Sequence, residues 1–311
     1  MRVTRIGRAG LTRPFGDERT VTQAFPSGVK TEDADPFLMC DFFNMPSSGE
    51  ALHEDDFPVD WHPHQGQTVV TYLKTGVGRH ADSLGNRETF RTPGMQWMNC
   101  GSGVEHAEGG GNPKGTPSEG FQIWINMPAK HKGDNPTYGT ETPESIPLLD
   151  VVNGVGNAKL RLLSGPLGDR VGPLKALVPI QMVDFELGES STAPHSIPSD
   201  MDTSMLYIYK GSARLEESGP LKEGDIAVFD ARDPSLRGFR LSTGPGESVG
   251  ALLFSGKKLK EPITWHGPLV MTTKEEIAST FQKLRKGTFP PVRVQWDYKR
   301  VATRPKDFKP L

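Results

Sequence analysis

Short apolar segments separated by turn-forming residues recur along the chain, and this pattern limits its possible folds most strongly. Residues 66–75 (GQTVVTYLKT) and 120–128 (GFQIWINMP) are examples, and the second alternates apolar and polar residues as a half-buried strand does. Glycine and proline, which favour turns, number 35 and 27 among the 311 residues. The sequence therefore predicts an all-β protein with few short helices.

One segment near the C-terminal end is convincingly helical. Thr273 and Glu276 have the spacing of a capping box, in which two side chains satisfy backbone amides of the first helical turn. Gly287 supplies a stop signal. The residues between them form an apolar stripe of Ile277, Phe281 and Leu284. We therefore predict a single C-terminal helix.

The length of the chain predicts two domains, because a single core rarely grows beyond about 250–300 residues. The polar, proline-containing stretch between Lys130 and Glu144 has the composition of a linker or crossover. We expect an N-terminal domain at residues 1–145 and a C-terminal domain at residues 146–290, followed by a basic extension at residues 291–311.

Charge and cysteine content exclude several classes of protein. The formal net charge of −2 argues against direct nucleic acid binding through a broad basic surface. No apolar run reaches the roughly 20 residues that a membrane span requires. Cys40 and Cys100 are too few for a disulfide framework, so we predict a reducing compartment, the cytoplasm, with the nucleus as the alternative. We expect a monomer.

Two pairs of metal-ligating side chains occur in strand-like segments. His62 and His64 lie in WHPHQGQT, and His106 and Glu108 lie in VEHAE. Residues two positions apart on an extended segment point to the same face. The separation of the pairs in sequence allows them to occupy neighbouring strands. Three imidazoles and one carboxylate would then converge on one divalent metal ion.

This set of four ligands leaves two positions of an octahedral ion open, which is typical of a catalytic or sensing site. Fe²⁺ with open positions is the usual choice for oxygen chemistry, and Mn, Ni, Cu and Zn are alternatives. One such histidine alone would more often cap a strand end or bond a carbonyl group. Two pairs on two strands favour the metal.

Several segments resemble the pirin family of the cupin superfamily, among them HPHQGQTVVTYLKTGVGRHADSLGN and PGMQWMNCGSGVEHAE. The similarity extends over most of the chain, to SGKKLKEPITWHGPLVMTTKEEIASTF near its end. It implies a bicupin, with two stacked antiparallel β-barrel domains and a metal in the N-terminal barrel alone, since the second half lacks a His-x-His pair. The ligands that it implies are His62, His64, His106 and Glu108.

The motif of this chain departs from that of the family at several positions. Family members commonly read HPHRGFET, whereas this chain reads HPHQGQTV. Gln65, Gln67 and Thr68 therefore stand in place of Arg, Phe and Glu.

The resemblance implies two functions. The first is that of a non-haem iron oxidoreductase, a flavonol (quercetin) 2,3-dioxygenase with O₂ and a small aromatic molecule as substrates and Glu108 as catalytic base. The expected pocket is lined by Phe43, Gln65, Met95 and Trp97. The alternative is a redox-sensing, iron-binding transcriptional co-regulator that acts through protein partners.

Overall fold

The structure is a computed structural model that describes residues 1–13, 20–45, 57, 59–109, 117–216, 218–231 and 237–295. Over these residues the chain consists mostly of strands, with two α-helices and one short 3₁₀ helix at Ala129–His131. This confirms the predicted β class with few helices. Neither of the described α-helices is long and apolar enough to cross a membrane.

The chain forms two compact units, each built from two separate stretches. Unit 1 contains residues 1–42 and 144–259, and unit 2 contains residues 43–143 and those from 260 onward. The expected domains 1–145 and 146–290 were uninterrupted stretches, so the sequence did not anticipate this exchange of terminal segments.

Unit 1 is built around long antiparallel strands. Strand β18 has 13 residues and pairs with β20 and β22 near its start and with β19 and β21 near its end. The elements of unit 1 are β1 Val3–Arg8, β2 Gly10–Thr12, β3 Val21–Phe25, α1 Thr31–Ala34, β4 Phe37–Met45 (which ends in unit 2), β13 Leu148–Asp150, β14 Ala158–Leu167, β15 Arg170–Pro173, β16 Ile180–Leu187, β17 Thr192–Ser196, β18 Thr203–Leu215, β19 Gly219–Lys222, β20 Asp225–Phe229, β21 Gly238–Ser242 and β22 Val249–Gly256.

Strand β22 is buried along its whole length and lies between β16 and β18. A strand covered on both faces reads as a continuous apolar run rather than as an alternation, and its sequence VGALLFSG does so. Leu253 packs in one apolar cluster with Phe185 of β16 and Leu206 of β18.

Unit 2 contains two antiparallel sheets. One has the order β5-β10-β7-β8, and in the other β12, β9, β6 and β11 follow one another. The elements of unit 2 are β5 Val59–His64, β6 Gln67–Thr75, β7 Val77–Asp82, β8 Arg87–Arg91, β9 Gly94–Asn99, β10 Val104–Gly109, β11 Ser118–Asn126, β12 Thr137–Glu141, β23 Thr264–His266, β24 Leu269–Met271 and α2 Lys274–Arg285.

The sheets are open, which corrects the expectation of two closed β-barrels. Within the described residues of unit 2, no hydrogen-bonded ladder joins the four-stranded sheet to β12, β9, β6 and β11. Side chains of both sheets instead meet in the space between them, which we call the lumen. Two-layer packing of this kind agrees with a cupin β-sandwich.

The helix predicted from the capping box is present. Strands β23 and β24 form a hairpin, and α2 follows with Thr273 and Glu276 satisfying each other's backbone amides. The apolar stripe of α2 packs on Leu269 and Met271 of β24. Gly287 has a positive φ of 66°, as expected for a residue that ends a helix.

The hairpin lies against the turn between β5 and β6. A Cβ atom on Gly66 would lie 2.0 Å from the carbonyl oxygen of Val270, so only glycine permits this approach. Lys132 is buried, and its Nζ donates hydrogen bonds to the carbonyl oxygens of Gly66 (2.7 Å) and Val270 (2.9 Å) and to Asn126 Oδ1 (2.7 Å). Three acceptors satisfy one ammonium group, which fixes the turn that carries His64.

Two segments, the stretch between the domains and the C-terminal extension, need comment against the sequence prediction. The stretch between Lys130 and Glu144 is not a simple linker, because β12 within it pairs with β9. Of the basic extension at 291–311, residues from 296 onward lie outside the described part of the chain. Arg293 within it forms an ion pair with Glu105.

Candidate metal centre

Strands β5 and β10 place three histidines together. The strands are antiparallel neighbours, as their spacing predicted, with His106 directly opposite His62 and Val104 opposite His64. The ring centroids of His62 and His106 are 4.3 Å apart, and those of His64 and His106 are 5.0 Å apart. One potential ligand atom from each of the three side chains lies within 4.8 Å of the others.

The surroundings keep two of these imidazoles, His64 and His106, neutral. Burial, with a smaller contribution from the neighbouring His62, holds the pKa of His64 and of His106 well below the ordinary value. Neutral imidazole is the form that binds a metal. Nε2 of His64 and both ring nitrogens of His106 are buried and have no hydrogen-bond partner among the described residues. A divalent ion would satisfy one nitrogen of each ring, so the residues fit a metal.

Hydrogen bonds direct one nitrogen of each β5 histidine toward the site. His62 Nδ1 lies 2.7 Å from the carbonyl oxygen of Asp60, which can only accept, so Nδ1 carries the proton and Nε2 keeps its lone pair.

His64 has Gln67 as the corresponding partner. Gln67 Nε2 lies 2.9 Å from His64 Nδ1, and Gln67 Oε1 is buried without a partner. A half-turn of the amide places Oε1 against an Nδ1–H, gives that oxygen a donor and leaves Nε2 of His64 available as a ligand.

Glu108 points into the lumen but lies outside the three-histidine group. Its Oε2 accepts hydrogen bonds from Gln96 Nε2 (2.9 Å) and Thr71 Oγ1 (3.0 Å), and its Oε1 accepts one from Gln122 Nε2 (3.1 Å). Three donors from the facing sheet, on β6, β9 and β11, thus position this carboxylate.

Aromatic side chains form part of the lumen wall. Trp124 of β11 is fully buried and meets His64 edge to face, with centroids 5.1 Å apart. His80 of β7 stacks on Tyr138 at 4.2 Å, and its Nε2 lies 3.0 Å from Asp82 Oδ2. Asp82 also accepts bonds from the turn at Leu84 and Asn86, so the structural role expected for His80 agrees with these contacts.

Sequence reasoning missed Trp124 and Gln122 as lumen residues. In GFQIWINMP the apolar residues at 121, 123 and 125 form one face, and Gln122, Trp124 and Asn126 form the other. The alternation was visible, and the polar face proved to be the one facing the candidate site.

The four expected pocket residues have different positions. Met95 and Trp97 lie on the face of β9 opposite Gln96, which bonds Glu108, so alternation directs them away from that carboxylate. Both ends of the Gln65 amide are occupied: Nε2 donates to the carbonyl oxygen of Ser102 (3.2 Å), and Oε1 accepts from Thr280 Oγ1 (2.5 Å). Phe43 is half-buried on β4.

Both halves of the chain match known protein families. Residues 18–125 match the family described as Pirin, and residues 182–290 match the one described as the Pirin C-terminal cupin domain. This chain belongs to the pirin family. The resemblance that the HPHQGQTV and VEHAE motifs indicated is thereby confirmed, and both halves of the chain are cupin domains.

Relatives of this pirin carry two kinds of name. A protein of Pseudomonas aeruginosa named "Putative quercetin 2,3-dioxygenase" is 33% identical over 269 residues, which cover 84% of this chain and 88% of the relative. A "Pirin-like protein" of Caulobacter vibrioides is 31% identical, over 82% of this chain and 87% of the relative.

Solved structures agree with the fold. The crystal structure of a quercetin 2,3-dioxygenase from Acinetobacter baumannii has a TM-score of 0.80 and 26% identity, and the match covers 93% of this chain and 98% of that one. A bacterial pirin from Escherichia coli in complex with nickel(II) has a TM-score of 0.57 and 17% identity, over 82% of this chain and 99% of that one. At this identity the second match supports the fold alone.

Proposed function

We propose that this pirin is a metal-dependent dioxygenase of the flavonol (quercetin) 2,3-dioxygenase type, with a single divalent ion, Fe²⁺, held in unit 2. The observation that carries the proposal is the meeting of three histidines at one point of the lumen, two of which, His64 and His106, have buried nitrogens without a partner among the described residues. The names of the Pseudomonas and Acinetobacter relatives support this substrate class.

His62, His64 and His106 hold the ion in this proposal, and Glu108 completes the set when its carboxylate leaves the amide network. When bound, the ion acts as a Lewis acid that lowers the pKa of a coordinated hydroxyl group. Glu108 is also the base that takes the hydroxyl proton on a carboxylate oxygen. Gln96 holds Oε2 and Gln122 holds Oε1 of this carboxylate in the lumen until it moves.

The lumen wall suits a flat, aromatic substrate. Trp124 and the stacked pair of His80 and Tyr138 present rings on three strands of the unit, β11, β7 and β12. Aromatic rings gain about 0.5–1.5 kcal/mol from stacked or edge-to-face contact beyond the burial of their area. Such a wall orients a planar molecule and excludes water from its reacting face.

Oxygen uptake with quercetin tests the proposal. The iron-loaded wild type should consume O₂, and the His64→Ala variant should not, even with added iron. Equal turnover by the variant would contradict a role for the histidine site.

Glu108→Gln separates the two roles of the carboxylate. If Glu108 acts as the base, the variant should keep its metal and lose at least about 100-fold in kcat, the usual lower size of a general-base effect. Loss of the metal together with the activity would instead identify Glu108 as a metal ligand. A variant with normal metal content and normal kcat would exclude both roles.

The alternative of a redox-sensing transcriptional co-regulator needs a surface beside the metal that partners can reach. Gln65, where the family commonly has Arg, is 5% exposed and bonded at both ends, so it adds no charge to such a surface. A pull-down with ferrous, ferric and metal-free protein tests this role. Capture of a partner that depends on the oxidation state would favour it, and identical captures would argue against it.

A further inference from the structure

Unit 1 contains a cavity of about 700 Å³, within the range of small-molecule sites. Much of its wall is apolar, and side chains from β14, the end of β18, β20 and β21 contribute to it. The main apolar contributors are Leu149, Leu160, Leu167, Leu215, Phe229 and Phe239. Val152 at the wall is 79% exposed, so the apolar lining continues to the molecular surface. A cavity of this kind takes a ligand with an apolar body.

His195 of β17 is the buried polar side chain in this wall, at 6% exposure. Its ring packs edge to face on Phe185, with centroids 5.3 Å apart, and lies 5.6 Å from Phe239. Two aromatic neighbours hold the imidazole in one orientation. A buried polar group fixed among apolar side chains gives a ligand a defined point of attachment.

The tautomer of His195 follows from its neighbour. Gln181 Nε2 donates to the carbonyl oxygen of Pro166 (2.6 Å), which orients Gln181 Oε1 toward His195 Nε2 at 3.0 Å. An amide oxygen only accepts, so Nε2 carries the proton and Nδ1 keeps the lone pair. Burial lowers the pKa of His195 to about 4, which keeps the ring neutral near pH 7. Nδ1 is therefore an acceptor that suits a ligand hydroxyl.

Each charged side chain of the wall has an opposite charge close by, in the wall or next to it. Asp150 pairs with Lys159, Asp169 lies 3.8 Å from Arg170, and Glu216 lies 3.2 Å from Arg240. The amine of Met1 donates to the carbonyl oxygen of Gly238. Paired charges give neither an anionic nor a cationic ligand a dedicated counter-ion, so the cavity favours an uncharged one.

We propose that unit 1 carries a second binding site, for a small uncharged molecule with an apolar ring body and one hydroxyl group that donates to His195 Nδ1. This site goes beyond the proposed dioxygenase function, since the three metal-binding histidines belong to unit 2. Neutral phenols and hydroxylated ring hydrocarbons have this chemistry.

Three matched probes test the proposal by calorimetry on the full chain: 2-naphthol, 2-methoxynaphthalene and 2-naphthoate. We expect 2-naphthol to bind more tightly than its methyl ether by about 3–10-fold, the value of one neutral hydrogen bond. The His195→Leu variant should remove that difference while it still binds the ether. Tighter binding of 2-naphthoate, or no binding of 2-naphthol, would overturn the proposal.

Two further measurements locate the probe. In the wild type, 2-naphthol should shift the ring-nitrogen NMR signal of His195 Nδ1, which needs no substitution and so no altered fold. The His106→Ala variant, which changes unit 2, should bind 2-naphthol as the wild type does. If His106→Ala abolishes binding while His195→Leu leaves it intact, the probe occupies the metal centre and the second site is excluded.

Discussion

At the scale of single residues, neighbours set which nitrogen of a histidine can bind a metal. Asp60 orients His62 through a backbone carbonyl, which any residue at position 60 supplies. Gln67 orients His64 through its side chain, so this control belongs to the sequence of this chain. Partners that fix a ligating imidazole are commonly worth 10–100-fold in metal affinity.

We therefore predict that Gln67→Leu weakens metal binding by about 10-fold or more, because His64 loses the acceptor that fixes its tautomer. The measurement is a competition titration with a metal chelator. Gln282→Leu, on the exposed face of α2, is the matched control and should bind as the wild type does. Equal affinity in Gln67→Leu would show that Gln67 does not orient His64.

His195 makes the stability of the protein sensitive to acid. Its pKa is about 4 in the folded state and about 6.5 when it is exposed, and its ring neighbours Phe185, Phe239 and Gln181 do not titrate. The unfolded chain therefore takes up a proton below pH 6.5 that the folded chain refuses until about pH 4. The stabilisation is complete above pH 6.5 and is lost as the pH falls toward 4.

Denaturant unfolding at pH 7 and pH 4.5 checks this prediction. The wild type should lose more free energy of unfolding over this interval than His195→Leu does, by up to about 3 kcal/mol. Equal losses would mean that His195 is protonated in both states or in neither.

Residue types and spacing predicted that the three histidines meet, because the alternation of side chains on a strand can be read from local sequence. The contacts of Glu108 could not be predicted in this way. They depend on which face of β6, β9 and β11 lies across the lumen, and packing between sheets decides that. The same limit applies to Met95 and Trp97, which the sequence predicted in the pocket and which lie on the face of β9 opposite Gln96.

At the scale of elements, α2 is tied to the turn that carries the metal motif. Thr280 Oγ1 donates to Gln65 Oε1 at 2.5 Å, and both side chains are buried. The residues flanking His64 are thus held by a helix more than 200 positions away in sequence. Gln65 therefore makes a structural contact in this chain.

We predict that Thr280→Val lowers the free energy of unfolding by about 1–3 kcal/mol, because Gln65 Oε1 stays buried without its donor. Thermal or denaturant unfolding measures the loss. Ser279→Ala, at an exposed position of the same helix, should change it by less than about 0.5 kcal/mol. Similar losses of unfolding free energy in the two variants would show that the Thr280 contact has no special role in stability.

The sequence predicted α2 well and β12 poorly, for physical reasons. A capping box, an apolar stripe and a terminal glycine are local signals that specify a helix by themselves. The strand Thr137–Glu141 lies at the edge of its sheet in a polar, proline-containing stretch, and its pairing with β9 alone makes it a strand. Its composition resembles that of a linker.

At the scale of the whole molecule, motifs predicted two cupin domains, but not the composition of the two units. Strand patterns predict how many elements there are, whereas the assignment of residues 1–42 to unit 1 and of the segment from 260 to unit 2 depends on contacts distant in sequence. Closure into barrels is likewise a property of pairing across sheets, and the described sheets are open.

The central claim is that His62, His64 and His106 hold one divalent ion, and elemental analysis of purified protein tests it most directly. The wild type should contain about one ion per chain, and so should the control His131→Ala, whose histidine bonds Asp134 at a distance of 2.7 Å. His106→Ala should contain less than about a tenth of that amount, because the variant lacks one of the three ligands that hold the ion. A wild-type metal content in folded His106→Ala would contradict the account.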